Sequence, residues 1–241
     1  MKLTSHKISS PVFAVNIAAL LALCVCLPAR ADYSSTVLSQ GPVGYWRLNE
    51  TTPPPLPSIA INLGTLQSGA DGDYNGFPTK GVPGALGGAD KAVSFDGGFT
   101  QWATTGYQPD LNPTNFTIEA WLNPGTDTPA GGLRCALASM HSGSPRAGWL
   151  IYQASAGAAF GGSPAGWDFR TYNQHASSVA VNIVAPAANT PGTWYHVVAT
   201  WDGSVGRVYV NGALGATSGS TNFVQNPDAA FSLGVRSDGG F

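Results

Sequence analysis

"GTWYHVVATWDGSVGRVYVNG" (192–212) reads as two β-strands joined by a turn. In the first strand Trp194, His196, Val198 and Thr200 alternate with Tyr195, Val197, Ala199 and Trp201, so each set takes one face of a sheet. Neither set is clearly polar. Asp202-Gly203 marks the bend. Asn211-Gly212 then supplies two residues suited to φ > 0, the strongest local hairpin signal in the chain. Such a hairpin belongs at the centre of a curved sheet, with one face in the core and the other partly covered or lining a depression.

Strand signals continue on both sides of it. "AVSFD" (92–96), "TQWATT" (100–105), "NFTIEAWL" (115–122), "RCALASM" (134–140), "GWLIYQ" (148–153), "WDFRTY" (167–172), "SVAVNIV" (178–184) and "AFSLGVR" (230–236) are further candidates. In the third of these, Phe116, Ile118 and Ala120 point one way and Thr117, Glu119 and Trp121 the other. Short strands with frequent turns predict an all-β antiparallel sandwich or barrel. "TTPPPLPS" (51–58) reads as a rigid loop. Residues 60–90 are dense in turn signals ("NLG", "DGDYNG", "GVPGALGG"). They predict a long loop that is functional or braced, for example by a metal.

"GPVGYWRLNE" (41–50), "NLG" (62–64), "GVPGAL" (81–86), "AVSFDG" (92–97), "NFTIEAWLNP" (115–124), "GTWYHVVATWDG" (192–203) and "VYVNG" (208–212) occur in that order. Together they resemble the laminin-G-like domains of the concanavalin A-like lectin/glucanase superfamily, especially the bacterial type of large secreted proteins. The resemblance implies a jelly-roll β-sandwich over residues 32–241, with one concave and one convex sheet. It also implies a final strand carrying Gly-x-Ile-Asp-Glu-Val after the "LGVRSDGGF" segment, beside "VGYWRL". The sequence stops at Phe241, so the expectation is a C-terminally incomplete domain, a fragment whose bare first strand invites strand-mediated self-association.

The beginning of the chain reads as an export signal over residues 1–31. Lys2 and Lys7 precede the apolar run "PVFAVNIAALLALCVCLP", and "ARA" (29–31) is a small-x-small cleavage site. The expected product is secreted or on the cell surface, with no membrane insertion after cleavage. Loss of Lys2, Lys7 and Arg30, with no acid lost, takes the formal net charge from −2 to −5. Charged residues are 10% of the chain, against about 25% in an average globular protein. A sparse, mildly acidic surface excludes nucleic acid as a partner. Cys24 and Cys26 leave with the signal, and Cys135 stays as a buried strand cysteine in phase with Leu133 and Leu137. "NET" (49–51) and "NFT" (115–117) match glycosylation acceptors, and both read as chance matches.

Catalytic signatures are missing. Glycoside hydrolysis needs two carboxylates about 5–10 Å apart. Only Glu50 and Glu119 are glutamates, and "FTIEAWL" carries no second acid. There is no Gly-x-Ser-x-Gly elbow, and His141, His175 and His196 lack metal-ligand spacing. His196 reads as a hydrogen-bonded structural residue. What remains is ligand binding through aromatics. An indole face packs on the apolar face of a pyranose while polar neighbours take its hydroxyls. Trp121 with Glu119, and Trp167 with Arg170 and Tyr172, have that mixture, whereas Trp46, Trp194 and Trp201 read as bracing. The expectation is a non-enzymatic module binding carbohydrate or a cell-surface glycoconjugate. The alternatives are a ligand-free assembly domain and, behind it, a glucanase-like hydrolase. The resemblance also implies a structural Ca2+ at the sandwich edge, with Glu50, Asn62, Asp71 and Asp96 as candidate oxygen ligands. The competing reading is that these side chains cap their own turns.

Overall fold

Alternation in the 192–212 stretch does become a hairpin at the centre of a sheet. The computed structural model describes residues 32–51, 59–97, 100–125, 132–141, 143–157, 164–175, 179–219 and 222–237. Residues 1–31, where an export signal is expected, and most of the proline-rich stretch lie outside them. In chain order the elements are helix α1 (Tyr33–Ser39) and strands β1 (Ile59–Ala60), β2 (Gly72–Asn75), β3 (Thr79–Pro83), β4 (Lys91–Ser94), β5 (Trp102–Thr105), β6 (Phe116–Leu122), β7 (Leu133–His141), β8 (Ala147–Ala154), β9 (Gly166–Asn173), β10 (Val179–Pro186), β11 (Tyr195–Trp201), β12 (Gly206–Val210), β13 (Ala213–Thr217) and β14 (Phe231–Leu233). They form an eight-stranded sheet β1-β2-β5-β14-β7-β8-β9-β10, a four-stranded sheet β13-β12-β11-β6 and a separate pair β3-β4. Every ladder is antiparallel. The architecture is the all-β sandwich that the sequence implies. No helix among the described residues is long and apolar enough to cross a membrane.

β11 lies between β6 and β12, with Val197 opposite Ala120 and Val210. Tyr195, Val197, Ala199 and Trp201 are buried in the main core with Trp149, Ile151, Trp167, Phe169 and Val181 of the facing sheet. The outward set His196, Val198 and Thr200 is half-buried, and Trp194 precedes the strand. Trp46 stacks on Phe231 with ring centroids 5.0 Å apart, bracing one end of the core. The other face of the eight-stranded sheet is also apolar: Ala138, Met140, Leu150, Tyr152 and Tyr172 form a second buried cluster with Cys135. Here one expectation fails. Cys135 is buried, but it is not in phase with Leu137. The ladder slips between these residues, so Cys135 faces Tyr152 and Leu137 faces Ile151. A bulge inserts one residue and turns the next side chain to the opposite face.

The 60–90 stretch is not one long loop either. It holds β1, β2 and β3, each short and lying at or near a sheet edge. "AVSFD" and "TQWATT", adjacent in sequence, enter different sheets: β4 pairs only with β3, while β5 joins β2 and β14. Helix α1 has no long amphipathic pattern behind it. Asp32 caps it by accepting from Ser34 N at 3.0 Å.

The β11–β12 bend is held by Asp202, which accepts from Ser204 N (3.0 Å), Val205 N (2.8 Å) and Arg207 Nη1 (2.7 Å). Arg207 first, then the two amides, hold its carboxyl well below the usual carboxylate range. A lowered folded-state pKa contributes stability above the unfolded value of about 3.9, and that stability is lost as pH falls towards the folded value. The melting-temperature gap between wild type and Asp202→Asn is therefore expected to be full at pH 6 and to shrink below about pH 4. A gap independent of pH would remove the carboxylate from this account.

The two sheets meet differently at their two sides. At one side Gly215 of β13 lies so close to β10 that an added Cβ would sit 2.5 Å from that of Ala185. At the other side β6 has β11 as its only partner strand among the described residues. Along that open edge runs a groove of about 1020 Å³, lined by all of β6, by residues 42–48, by parts of β3, β4 and β7, and by Trp149 and Phe231.

Candidate functional site

β6 turns Thr117, Glu119 and Trp121 outwards, and β11 sets His196 beside Trp121 and Val198 beside Glu119. The pleat thus gathers an indole, a carboxylate and an imidazole on one face. Trp121 and His196 have ring centroids 4.9 Å apart, tilted by 38°. His196 Nε2 lies 2.8 Å from Glu119 Oε1. The backbone of His196 is fixed by the Asn-Gly turn: His196 N donates to Asn211 Oδ1 at 2.9 Å, and Asn211 N to His196 O at 2.8 Å. Asn211 and Gly212 adopt φ of 51° and 81°, the left-handed pair that the sequence predicts. The hairpin signal and the site are therefore one device.

A fourth side chain joins from α1. The Tyr33 hydroxyl donates to Glu119 Oε1, and its ring meets Trp121 edge-on, 6.3 Å between centroids at 70°. Burial, then the Glu119 carboxylate, pushes the Tyr33 phenol above its ordinary range. The Trp121 N–H tempers that rise, yet its buried Nε1 makes no hydrogen bond of normal geometry. Tyr33, Glu119, Trp121 and Trp194 all border the groove along β6. Nothing in the sequence ties residue 33 to residue 119, which is why Tyr33 is missing from the expected set.

The outward side chains of β6, β11 and β12 are Thr117, Glu119, Trp121, His196, Val198, Thr200, Arg207 and Tyr209. They include one carboxylate, so this face offers no acid–base pair of the glycosidase kind. His196 has the structural hydrogen bond expected of it, and that bond goes to the candidate ligand-binding Glu119.

The five expected ligand-binding residues are split between three places. Glu119 and Trp121 share the face just described. Arg170 and Tyr172 lie on β9, on the far face of the eight-stranded sheet, 7% and 1% exposed. Arg170 Nε and Nη2 approach one oxygen, Asp168 Oδ2, at 2.8 and 2.6 Å, and the guanidinium lies over the Tyr152 ring at 4.9 Å. The Nη2 contact is close but not aligned as a hydrogen bond. Asp168 Oδ1 is buried with no hydrogen-bond partner among the described residues, and burial, opposed by Arg170, pushes that carboxyl up. Trp167 is a correction to the expected set. Its position in β9 points it into the main core, 2% exposed, with its ring 6.1 Å from that of Tyr195. It still borders the groove.

Three of the four candidate calcium ligands come together, and their oxygens face donors. Asn62 Oδ1 accepts from Tyr45 N (2.7 Å) and Gly64 N (3.0 Å), and Asp71 Oδ1 from Asn62 N (2.8 Å). Glu50 takes Ile61 N (3.0 Å) on Oε1 and the Tyr74 hydroxyl (2.7 Å) on Oε2. Asp96 lies on another turn, accepting from Thr100. Among the described residues no three His, Cys, Asp or Glu side chains form a metal-sized cluster. A calcium ion would have to share these oxygens with the N–H and O–H groups that already donate to them.

The family described as the concanavalin A-like lectin/glucanases superfamily, laminin G type 3, matches residues 96–241, more than half of the chain. Curated protein sequences give no match. Among solved structures, the binding domain of Paraclostridial Mosquitocidal Protein 1 is similar at a TM-score of 0.56 and 11% identity, over 72% of this chain and 41% of that one. This chain thus spans well under half the length of that relative. A carbohydrate binding module from Bacillus subtilis gives 0.37 at 16% identity, over 67% and 90% of the two chains. Domain 4 of an extracellular arabinanase from Geobacillus stearothermophilus, in complex with arabinotriose, gives 0.44 at 15%, over 68% and 73%. Only the first of the three scores bears on the fold, and it agrees with the sandwich seen here. With more than half its length matched, the chain belongs to the concanavalin A-like lectin/glucanases superfamily.

Proposed function

We propose that this domain is an exported, non-catalytic binding module for carbohydrate or a surface glycoconjugate, working as one unit of a larger protein. Its ligand rests on Trp121 and Glu119 at the edge of the groove along β6. One observation carries the reading: an indole, a carboxylate and an imidazole share an open sheet face beside a long, largely apolar groove. Few polar groups on an apolar, concave lining is the usual make-up of a ligand site. Trp121 supplies the stacking surface, Glu119 accepts a sugar hydroxyl, and His196 holds Glu119 in place. The superfamily includes lectins, and the similar mosquitocidal fragment is itself named a binding domain. Export rests on the N-terminal sequence pattern.

Affinity electrophoresis on a panel of soluble polysaccharides tests this. Retention is expected on at least one gel. It should weaken by up to about tenfold in Trp121→Ala, as fits the ~0.5–1.5 kcal/mol of an aromatic stacking contact, and by less in Glu119→Gln. Equal retention of both variants would place the ligand elsewhere. No retention on any gel, together with concentration-dependent dimers in light scattering, would favour the assembly reading instead, which the open edge of β6 supports.

A further inference from the structure

We infer that Tyr33 is an internal stand-in for the ligand, and that α1 must leave the site before a saccharide can bind. This rests on the function proposed above. Tyr33 occupies the two groups a pyranoside would use there: it donates its hydroxyl to Glu119 Oε1, and it meets edge-on the Trp121 ring on which a pyranose would lay its apolar face. Oε1 already takes His196 Nε2, so a third strong donor cannot be added while the phenol is in place. Ligand and Tyr33 therefore compete for the same carboxylate oxygen and the same indole.

The helix that carries Tyr33 is built to release. It has seven residues, fewer than an isolated helix needs to hold together in water. Ser35, Thr36, Leu38 and Ser39 are exposed, and only Ser34 is buried. It has no acidic residue in its first turn and no basic one in its last to favour its dipole. Its placement therefore depends heavily on Tyr33. A state with Tyr33 in place binds no sugar, so the apparent affinity is the intrinsic one reduced by the open fraction.

The test titrates wild type, Tyr33→Phe and Tyr33→Ala with cellotriose, maltotriose and arabinotriose, following tryptophan fluorescence and amide exchange of residues 33–39. At least one sugar is expected to bind all three proteins, about tenfold more tightly to Tyr33→Ala, with Tyr33→Phe between. Saturating sugar is expected to speed exchange across α1 in the wild type. Equal affinities with α1 still protected would overturn the inference and leave the proposed function standing. Binding lost in Tyr33→Ala but kept in Tyr33→Phe would also overturn it, making the Tyr33 ring part of the binding surface. No binding to any of the three proteins would sink both.

Discussion

Asp168→Ala is expected to lower the stability of the domain by about 3–5 kcal/mol, the usual cost of stripping one partner from a buried ion pair. Asp168 is 0% exposed and Arg170 7%. Two guanidinium nitrogens converge on Asp168 Oδ2, while Asn182 Oδ1 is a longer partner at 3.2 Å. Removing the carboxylate takes two close contacts from a cation held under the sheet surface, and Arg cannot lose its proton to escape. For a domain of this size the melting temperature should fall by roughly 10 °C, at about 2–4 °C per kcal/mol. The double variant Asp168→Leu/Arg170→Met removes both charges and should be far milder, because apolar replacement of a buried pair is often neutral. Urea unfolding of the three proteins decides it. A loss under 1 kcal/mol for Asp168→Ala would mean that Arg170 swings out to water.

Gly148→Ala is expected to cost about 2–5 kcal/mol, combining the ~1–2 kcal/mol of a left-handed L-residue with the ~1–3 kcal/mol of overpacking. Gly148 has φ of 95° at the start of β8. A Cβ there would lie 2.1 Å from the Ser139 carbonyl oxygen and 2.9 Å from the Asn226 Cβ. Both neighbours are pinned. Gly148 N donates to Val224 O at 2.8 Å, and Asn226 Nδ2 donates to Ser139 Oγ at 3.0 Å and to Ala229 O at 2.7 Å. Gly212→Ala is the control. Its φ of 81° is similar, but nothing lies within 4 Å of the new methyl, so only the conformational part is lost. If chemical denaturation finds the two variants equal, the β7–β8 corner yields where the packing says it cannot.

Those two glycines show what a sequence does and does not display. Gly212 follows Asn211 between alternating apolar runs, a local pattern with a local cause, and the turn is where the pattern puts it. Gly148 begins an apolar run and gives no sign that Ser139 and Asn226 will press against it, because Ser139 faces it only once β7 pairs with β8 and Asn226 arrives from far along the chain. The same divide separates the rest. The β6 and β11 alternation correctly sorts the side chains into two faces, and packing then shows that Trp121 and Glu119 lie on the outer one. One-residue bulges defeat it, as at Cys135. Trp167, Arg170 and Tyr172 sit within six residues of one another and look like one cluster, yet alternation along β9 sends Trp167 to the opposite face from the other two. The oxygen-rich residues 50, 62 and 71 look like cation ligands in the sequence, which does not show the amides and the hydroxyl that also point at them. Tyr33 is invisible for a simpler reason: its partner is 86 positions away.

The seam at Gly215 gives the molecule a mechanical character. A book bound along one spine has one easy motion, and it is the width at the fore-edge that changes. Here β10 and β13 are the spine, tight enough that only glycine fits, and β6 is the fore-edge, bordered by the groove rather than by another strand. A small rotation about the spine widens or narrows the groove while every ladder within each sheet stays intact, the kind of rigid-element motion that packed layers permit. A force that changed that angle would therefore alter the groove at β6 before it broke any ladder.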